Sequence, residues 1–315
     1  MAVTLMQAKL NVTDDLQLGI IDEFAKSSFI LNNIPFHDCV SPVGGGATMT
    51  YGYTRLITQP TADFRAINAE YTPHEVQKQR YVTDLKVMGG SYEIDRVIAD
   101  MGGFADEVAL QASQKVKAVS ALFTDTIING DSAANPLAFD GLDVAVTGTS
   151  TEYTPDAVID LSTSAAVDAN YKLFVDQLDE WTAELDGVDA YLCNSKMLAK
   201  FRAIARRMGQ YQETKNEFGQ KVEMFGGVPF VDLGAKSGSN EPIVGIKDGV
   251  TSIYAVRFGM DGFHAISMAG TAPVKTWLPD FSTAGAVKKG EVEMIAGCAL
   301  KSTKAAGVFR NIKVQ

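Results

Sequence analysis

The 315 residues carry 28 basic and 38 acidic side chains, for a net charge of -10, with 46% apolar and 21% charged residues. That balance excludes a disordered chain and leaves ample length for a core. It also argues against nucleic-acid gripping by the chain as a whole, which needs clustered cations. The charge is uneven: residues 101–200 hold 5 basic and 16 acidic groups, whereas residues 201–315 hold 15 and 10. Opposite local charges of this kind suit attraction between subunits.

Taken in order, residues 1–12 read as a mixed extended segment. The pattern predicts a helix over Asp14–Ser28, with Leu16, Ile20, Ile21 and Phe24 on one side. No basic flank leads into an apolar run, so no secretory signal is expected. Val43-Gly44-Gly45-Gly46 reads as a hinge. ATMTYGYTRLITQ (47–59) alternates as a strand does, and EVQKQRYVTDLKVMG (75–89) reads as its partner, closed by Gly89-Gly90. Between them, residues 60–73 are polar and turn-rich. Together these predict a projecting hairpin with strands of about 15 residues and a reach of about 50 Å.

The strongest signal follows. Phe104, Val108, Ala112, Val116, Val119, Phe123 and Ile127 recur at steps of three or four, which predicts one long helix from Gly103 to Asn129. At ~1.5 Å per residue it forms a rod of roughly 37 Å, stopped by Asn129-Gly130-Asp131. Residues 147–170 read as an irregular connection. A second helix is expected from Tyr171 to Asp186, a buried strand at 190–194, and a third helix capped by Asn194 or Ser195 and stopped at Gly209. From Val222 onward strands dominate: VEMF, VPFVDL, PIVGI, TSIYAVRFG, GFHAISM, EVEMIAGCAL and GVFRNIKV. Helices and strands are segregated, so the expected class is α+β.

Chemistry-bearing motifs are sparse. His37, His74 and His264 stand apart in sequence, and His264, within a strand pattern, reads as a hydrogen-bonded structural residue. HExxH, GxSxG and Walker-type patterns are missing from the sequence. Cys39, Cys193 and Cys298 form no CxxC pair, which argues against a disulfide framework or zinc site and points to a reducing cytoplasm. No apolar run of ~18 residues predicts a membrane span. Acidic pairs such as Asp106-Glu107 and Asp179-Glu180 lie at helix starts or on polar faces, where solvation accounts for them. The hairpin region is different. Tyrosines and basic residues are interleaved there with offsetting Asp63, Glu70, Glu75 and Asp84. That mixture fits a protein contact surface better than a nucleic-acid one. Tyr51, Tyr53, Arg55, Arg65, Glu70, Lys78 and Arg80 are the candidate intersubunit contacts, with no catalytic, cofactor or metal residues expected.

Several segments, in their order and spacing, resemble one family. INGD (128–131) followed by PLAFDGL (136–142), VEMFGGVPFVDL (222–233), IYAVRFG (253–259) and AAGVFRNIKV (305–314) are similar to segments of tailed-bacteriophage major capsid proteins of the Hong Kong 97-type fold. The resemblance implies an N-terminal arm (1–42), an extended β-hairpin loop (43–90), a peripheral domain (91–169 and 246–315, with the spine helix 103–129) and an axial domain (170–245). It further implies pentamers and hexamers closing into an icosahedral head around double-stranded DNA, assembled in the bacterial host cytoplasm. DNA would be enclosed without sequence-specific binding. A portal is an implied partner, with room for a decoration protein; too few residues precede the spine helix for a built-in scaffold, which implies a separate scaffolding protein or none. Lys78 and Lys86 match no partner for the family's lysine–asparagine crosslink, so that bond is not expected. Two alternatives stay open at this point: an encapsulin-like, cargo-loading nanocompartment shell, and a cytoplasmic α+β enzyme with a site outside these motifs.

Overall fold

The computed structural model describes residues 29–40, 46–58, 60–100, 107–209, 214–215, 221–268 and 274–315. The helix expected over Asp14–Ser28, Val43–Gly45 of the hinge and residues 103–106 of the long helix lie outside them. In chain order, the first elements are α1 (Phe29–Asn33), β1 (Phe36–Cys39), β2 (Thr50–Leu56), β3 (Lys78–Asp84), β4 (Lys86–Asp95) and α2 (Arg96–Asp100). The long helix is α3 (Glu107–Asn129), followed by α4 (Leu142–Val146), β5 (Glu152–Tyr153), β6 (Ile159–Asp160), α5 (Ser164–Ala183), β7 (Ala190–Cys193) and α6 (Ser195–Met208). The remaining elements are β8 (Thr214–Lys215), β9 (Lys221–Val222), β10 (Met224–Phe225), β11 (Val228–Asp232), β12 (Val250–Val256), β13 (Phe263–Met268), β14 (Val274–Trp277), β15 (Val287–Leu300) and β16 (Ala306–Lys313).

Two sheets organise the subunit. A five-stranded sheet runs β1-β13-β15-β14, with β4 on the other edge of β15; a seven-stranded sheet runs β10-β11-β7-β12-β16-β5, with β6 also on β16. The stripe on α3 deepens toward its C-terminal end. Val119, Phe123, Ile127 and Ile128 are buried in a cluster that also holds Met294 and Ala265 of the first sheet and Leu192 and Val308 of the second. The helix is therefore wedged against both sheets by its own apolar face. A second cluster packs α5 and α6 on the far face of the seven-stranded sheet, where Phe201 stacks on Phe230 at 4.0 Å and Trp181 and Phe174 flank Phe309.

The turn after α3 shows why its sequence reads INGD…FDGL. Gly130 N–H donates to Thr126 O at 2.9 Å and Gly141 N–H to Gly130 O at 2.8 Å, which brings the two glycines together. A Cβ on Gly130 would lie 2.2 Å from Phe139 O, and one on Gly141 would lie 2.6 Å from Thr126 O. Only glycine fits either place. The turn delivers α4, whose Leu142 and Val146 enter the core. Asp143 of α4 accepts from Tyr254 Oη at 2.9 Å and pairs with Arg310 at 2.8 Å. Arg310 Nε also donates to Glu152 at 2.5 Å. These polar bonds tie α4 to β12 and β16 of the seven-stranded sheet.

The structure revises four sequence expectations. Gly89-Gly90 does not close a strand: both sit inside β4, paired with Glu293 and Val292 of β15. A Cβ on Gly89 would be 2.4 Å from Val292 O, so Gly89 permits close strand approach rather than termination. The helix expected from Tyr171 begins seven residues earlier, because the Thr163 side chain accepts from Ala166 N–H at 3.1 Å and caps Ser-Ala-Ala-Val. PIVGI (242–246) forms no strand. Side-chain amides replace its ladder, Asn129 Nδ2 donating to Ile243 O at 2.8 Å and Asn194 Nδ2 to Val244 O at 3.0 Å. Finally, the hairpin strands are 7 residues each rather than about 15, because the strand expected over 75–89 breaks at Leu85, whose buried side chain divides β3 from β4.

Two substitutions test this core. Val119→Asp places an unpaired charge at a buried position and is expected to cost several kcal/mol, abolishing cooperative thermal unfolding of the soluble subunit. Gly141→Ala forces backbone apart at the α3–α4 turn and is expected to destabilise by about 1–3 kcal/mol, measured by chemical denaturation.

Candidate assembly interface

Strands β2 and β3 form a two-stranded antiparallel hairpin in register Thr50↔Asp84 through Leu56↔Lys78. Alternation along β2 turns Tyr51, Tyr53 and Arg55 inward and leaves Thr50, Gly52, Thr54 and Leu56 outward. The inward row lies on the C-terminal end of β15. Tyr53 Oη donates to Leu300 O at 2.9 Å. Arg55 makes three bonds: Nη2 to Leu300 O at 2.6 Å, Nε to Lys301 O at 3.0 Å and Nη1 to Thr303 Oγ1 at 3.1 Å. Its guanidinium also sits 4.4 Å from the Tyr81 ring centre, and Tyr81 stacks on Tyr53 at 5.7 Å. Burial raises the Tyr53 phenol above its ordinary value. Beneath this root lies a cavity of about 340 Å³, bounded by Val82, Asp84, Lys86, Asp140, Val144 and Leu300.

The tip is the opposite case. Its described residues from Ile57 to Gln77 are exposed, including Phe64, Ile67 and Tyr71 at 107%, 91% and 62%. Local bonds shape it: His74 pairs with Asp63 at 3.2 Å, Arg65 donates to Ala69 O at 3.3 Å and stands 5.3 Å over the Tyr71 ring, and Asn68 adopts φ +66°. None of this gives the tip a core, so the subunit presents apolar side chains on a polar ribbon.

The seven candidate contact residues therefore fall into three groups. Tyr51, Tyr53 and Arg55 face their own subunit and anchor the hairpin. Arg65 and Glu70 lie in the exposed tip. Lys78 and Arg80 stand on the outward face of β3. Sequence reasoning passed over Phe64 and Ile67, because the surrounding segment is turn-rich and polar. The available signal was two large apolar residues in a stretch with neither strand nor helix period.

Other chemistry is muted. The three thiols are free and buried, and burial pushes Cys298 up to about 12 and Cys193 higher still, so they stay protonated and unreactive. Among the described residues, no group of three His, Cys, Asp or Glu stands close enough to hold a metal ion. None of the described helices is long and apolar enough to cross a membrane.

No family profile matches the sequence, and no curated protein is similar to it. Solved structures are similar over nearly the whole chain. The holo-SrpI encapsulin complex of Synechococcus elongatus matches with a TM-score of 0.66 at 14% identity, covering 100% of this chain and 98% of that one. The capsid of a native GTA particle matches at 0.62 and 13%, covering 96% and 95%. A chain of Gordonia phage Cozz matches at 0.57 and 12%, covering 100% and 96%. The chain has the Hong Kong 97-like fold. At this identity the likeness establishes the α+β architecture of that fold and nothing finer.

Arg55→Ala removes three bonds and a ring contact from the root while leaving the two sheets intact. It is expected to weaken docking of the hairpin by about 2 kcal/mol, with roughly thirty-fold faster amide exchange in residues 50–56 and 78–84. Unchanged protection there would show that the root is held by other contacts.

Proposed function

We propose that this chain is a major capsid protein, a structural subunit whose copies form pentamers and hexamers of an icosahedral phage head around double-stranded DNA. The observation that carries the reading is a hairpin anchored at its root and apolar at its fully exposed tip, on a fold otherwise found in shells. A ribbon of two strands has marginal stability by itself. Exposed Phe64, Ile67 and Tyr71 gain burial only against another surface, and in a closed shell that surface is a neighbouring copy. Arg65, Glu70, Lys78 and Arg80 supply polar contacts around that patch. The spine is α3, the peripheral unit is the five-stranded sheet, and the axial unit is the seven-stranded sheet with α5 and α6. The net charge of -10 suits a wall that encloses DNA without gripping it. Portal, scaffolding and decoration proteins belong to this reading as partners, the virion as the location, and a non-enzymatic role as its corollary.

Size-exclusion chromatography and negative-stain microscopy of the expressed chain test the proposal: rings or shells are expected, and a stable monomer or dimer under all assembly conditions would sink it. Phe64→Asp with Ile67→Asp should abolish assembly while shifting the thermal midpoint by less than about 2 °C, because neither side chain is packed in the subunit. Replacing residues 57–77 by a tight turn should do the same; deletion of the whole of 48–85 would also remove Tyr51 and Leu85, which are packed on the sheet. The whole-chain likeness to an encapsulin supports a second reading, a cargo-loading compartment. Nuclease-protected DNA in purified particles separates the two, protein cargo without DNA favouring the compartment.

A further inference from the structure

The hairpin root covers a feature that neither packing nor shell formation requires. His264 of β13 is completely buried, and beyond a backbone contact with Gly262 its ring nitrogens have no well-aligned hydrogen-bond partner; Nδ1 of His37 on β1 is also buried and unpartnered. The two rings lie 6.1 Å apart, and Tyr51 of β2 closes over both, 5.7 Å from His264 and 5.3 Å from His37. Around them, Cys39, Leu85 and Ile266 form a small apolar cluster separate from the two main cores. A buried donor or acceptor without a well-aligned partner loses its hydration without full replacement, so the arrangement is unfavourable even when neutral.

We propose that His264, beside His37 and beneath Tyr51, forms an acid-sensitive latch, which holds the hairpin root on the five-stranded sheet at neutral pH and releases it on acidification. The surrounding charges favour that response. Lys301, just beyond β15, places its ammonium 5.6 Å from the Tyr51 ring centre. Tyr51 and Tyr53 of β2 are neutral phenols at these pH values. The carboxylates on the flanking elements are engaged elsewhere, Asp38 accepting from Ser267 and Asp84 from Thr50. A proton arriving on the His264 imidazole therefore meets apolar walls, a second imidazole and a cation. Among the described residues no third ligand stands with the pair, which leaves protonation rather than metal binding as the available chemistry.

Burial first, then Lys301 and His37, outweigh the backbone contact with Gly262 and lower His264 from the ordinary 6.5 to about 4. The released root exposes the imidazole to water and restores its ordinary value. Docking is therefore full above pH 6.5 and weakens as pH falls through the window down to about 4, by about tenfold per pH unit and about 300-fold in total. The latch concerns contacts within one chain, so it stands whether or not the shell proposal does.

Amide exchange of the full chain, corrected for the intrinsic effect of pH, reads it directly. Between pH 7.5 and 5.0, protection of residues 47–58 and 78–86 is expected to fall by roughly thirtyfold, while α5 and α6 keep theirs. In His264→Phe, which cannot titrate, the fall should vanish. Equal wild-type protection at both pH values, or an undiminished fall in His264→Phe, overturns the proposal. If that variant fails to fold, C2–H exchange of the wild-type histidines, read by mass spectrometry, decides instead: titration of His264 at or above pH 6.5 overturns it, and titration well below supports it.

Discussion

The fold depends on one burial event, the insertion of the C-terminal half of α3 between two sheets. Val119, Phe123, Ile127 and Ile128 contribute to a core that neither sheet completes alone. Truncating a single such phenylalanine typically costs 3–5 kcal/mol, a large part of a subunit's total stability. Because the helix contacts both sheets through one stripe, its rotation about its axis is fixed, and with it the direction of the turn that follows. The Gly130–Gly141 contact then places α4, and the Asp143–Arg310–Glu152 bonds secure α4 to the second sheet. The two sheets are thus joined by a core shared with the helix and by the short β12–β13 connection, where Phe263 N–H donates to Arg257 O at 3.0 Å.

Much of this was legible in the sequence where one local rule acted without competition. The α3 stripe is such a case, as are α6, started by Asn194 and stopped by Gly209 at φ +67°, and the wholly apolar β7. Readings failed where a residue type serves two purposes. Gly89-Gly90 looked like a terminator but lies inside β4, where Gly89 serves close strand approach. The Thr-Ser-Ala-Ala run at 163–166 looked like loop and is a capped helix start. The β2 alternation revealed an inward row, yet its acceptors lie about 245 residues away in sequence at Leu300, beyond the reach of any local pattern. The complete burial of His264 beneath Tyr51 is a property of tertiary packing alone.

The hairpin combines two environments. Its root behaves as core, with arginine held by three acceptors, stacked tyrosines and a small apolar cluster. Its tip behaves as a surface awaiting a partner. This division lets the same element be rigid where its direction is set and adaptable where it meets a varied neighbour. Local opening is cheapest where buried contacts are few, and the root rests on few enough for small changes in charge to matter.

One connection bears on how the subunit carries load. Only Leu85 separates β3 from β4, and β4 runs antiparallel to β15 through ten consecutive pairs, Lys86↔Ala296 to Asp95↔Val287. Ladder hydrogen bonds lie across the strand direction. A pull on the tip along the ribbon therefore loads these bonds together in shear, instead of peeling them one at a time. Tension applied at the outermost point of the molecule would pass straight into the sheet beside α3, making the projecting ribbon a tie-rod fixed into the subunit.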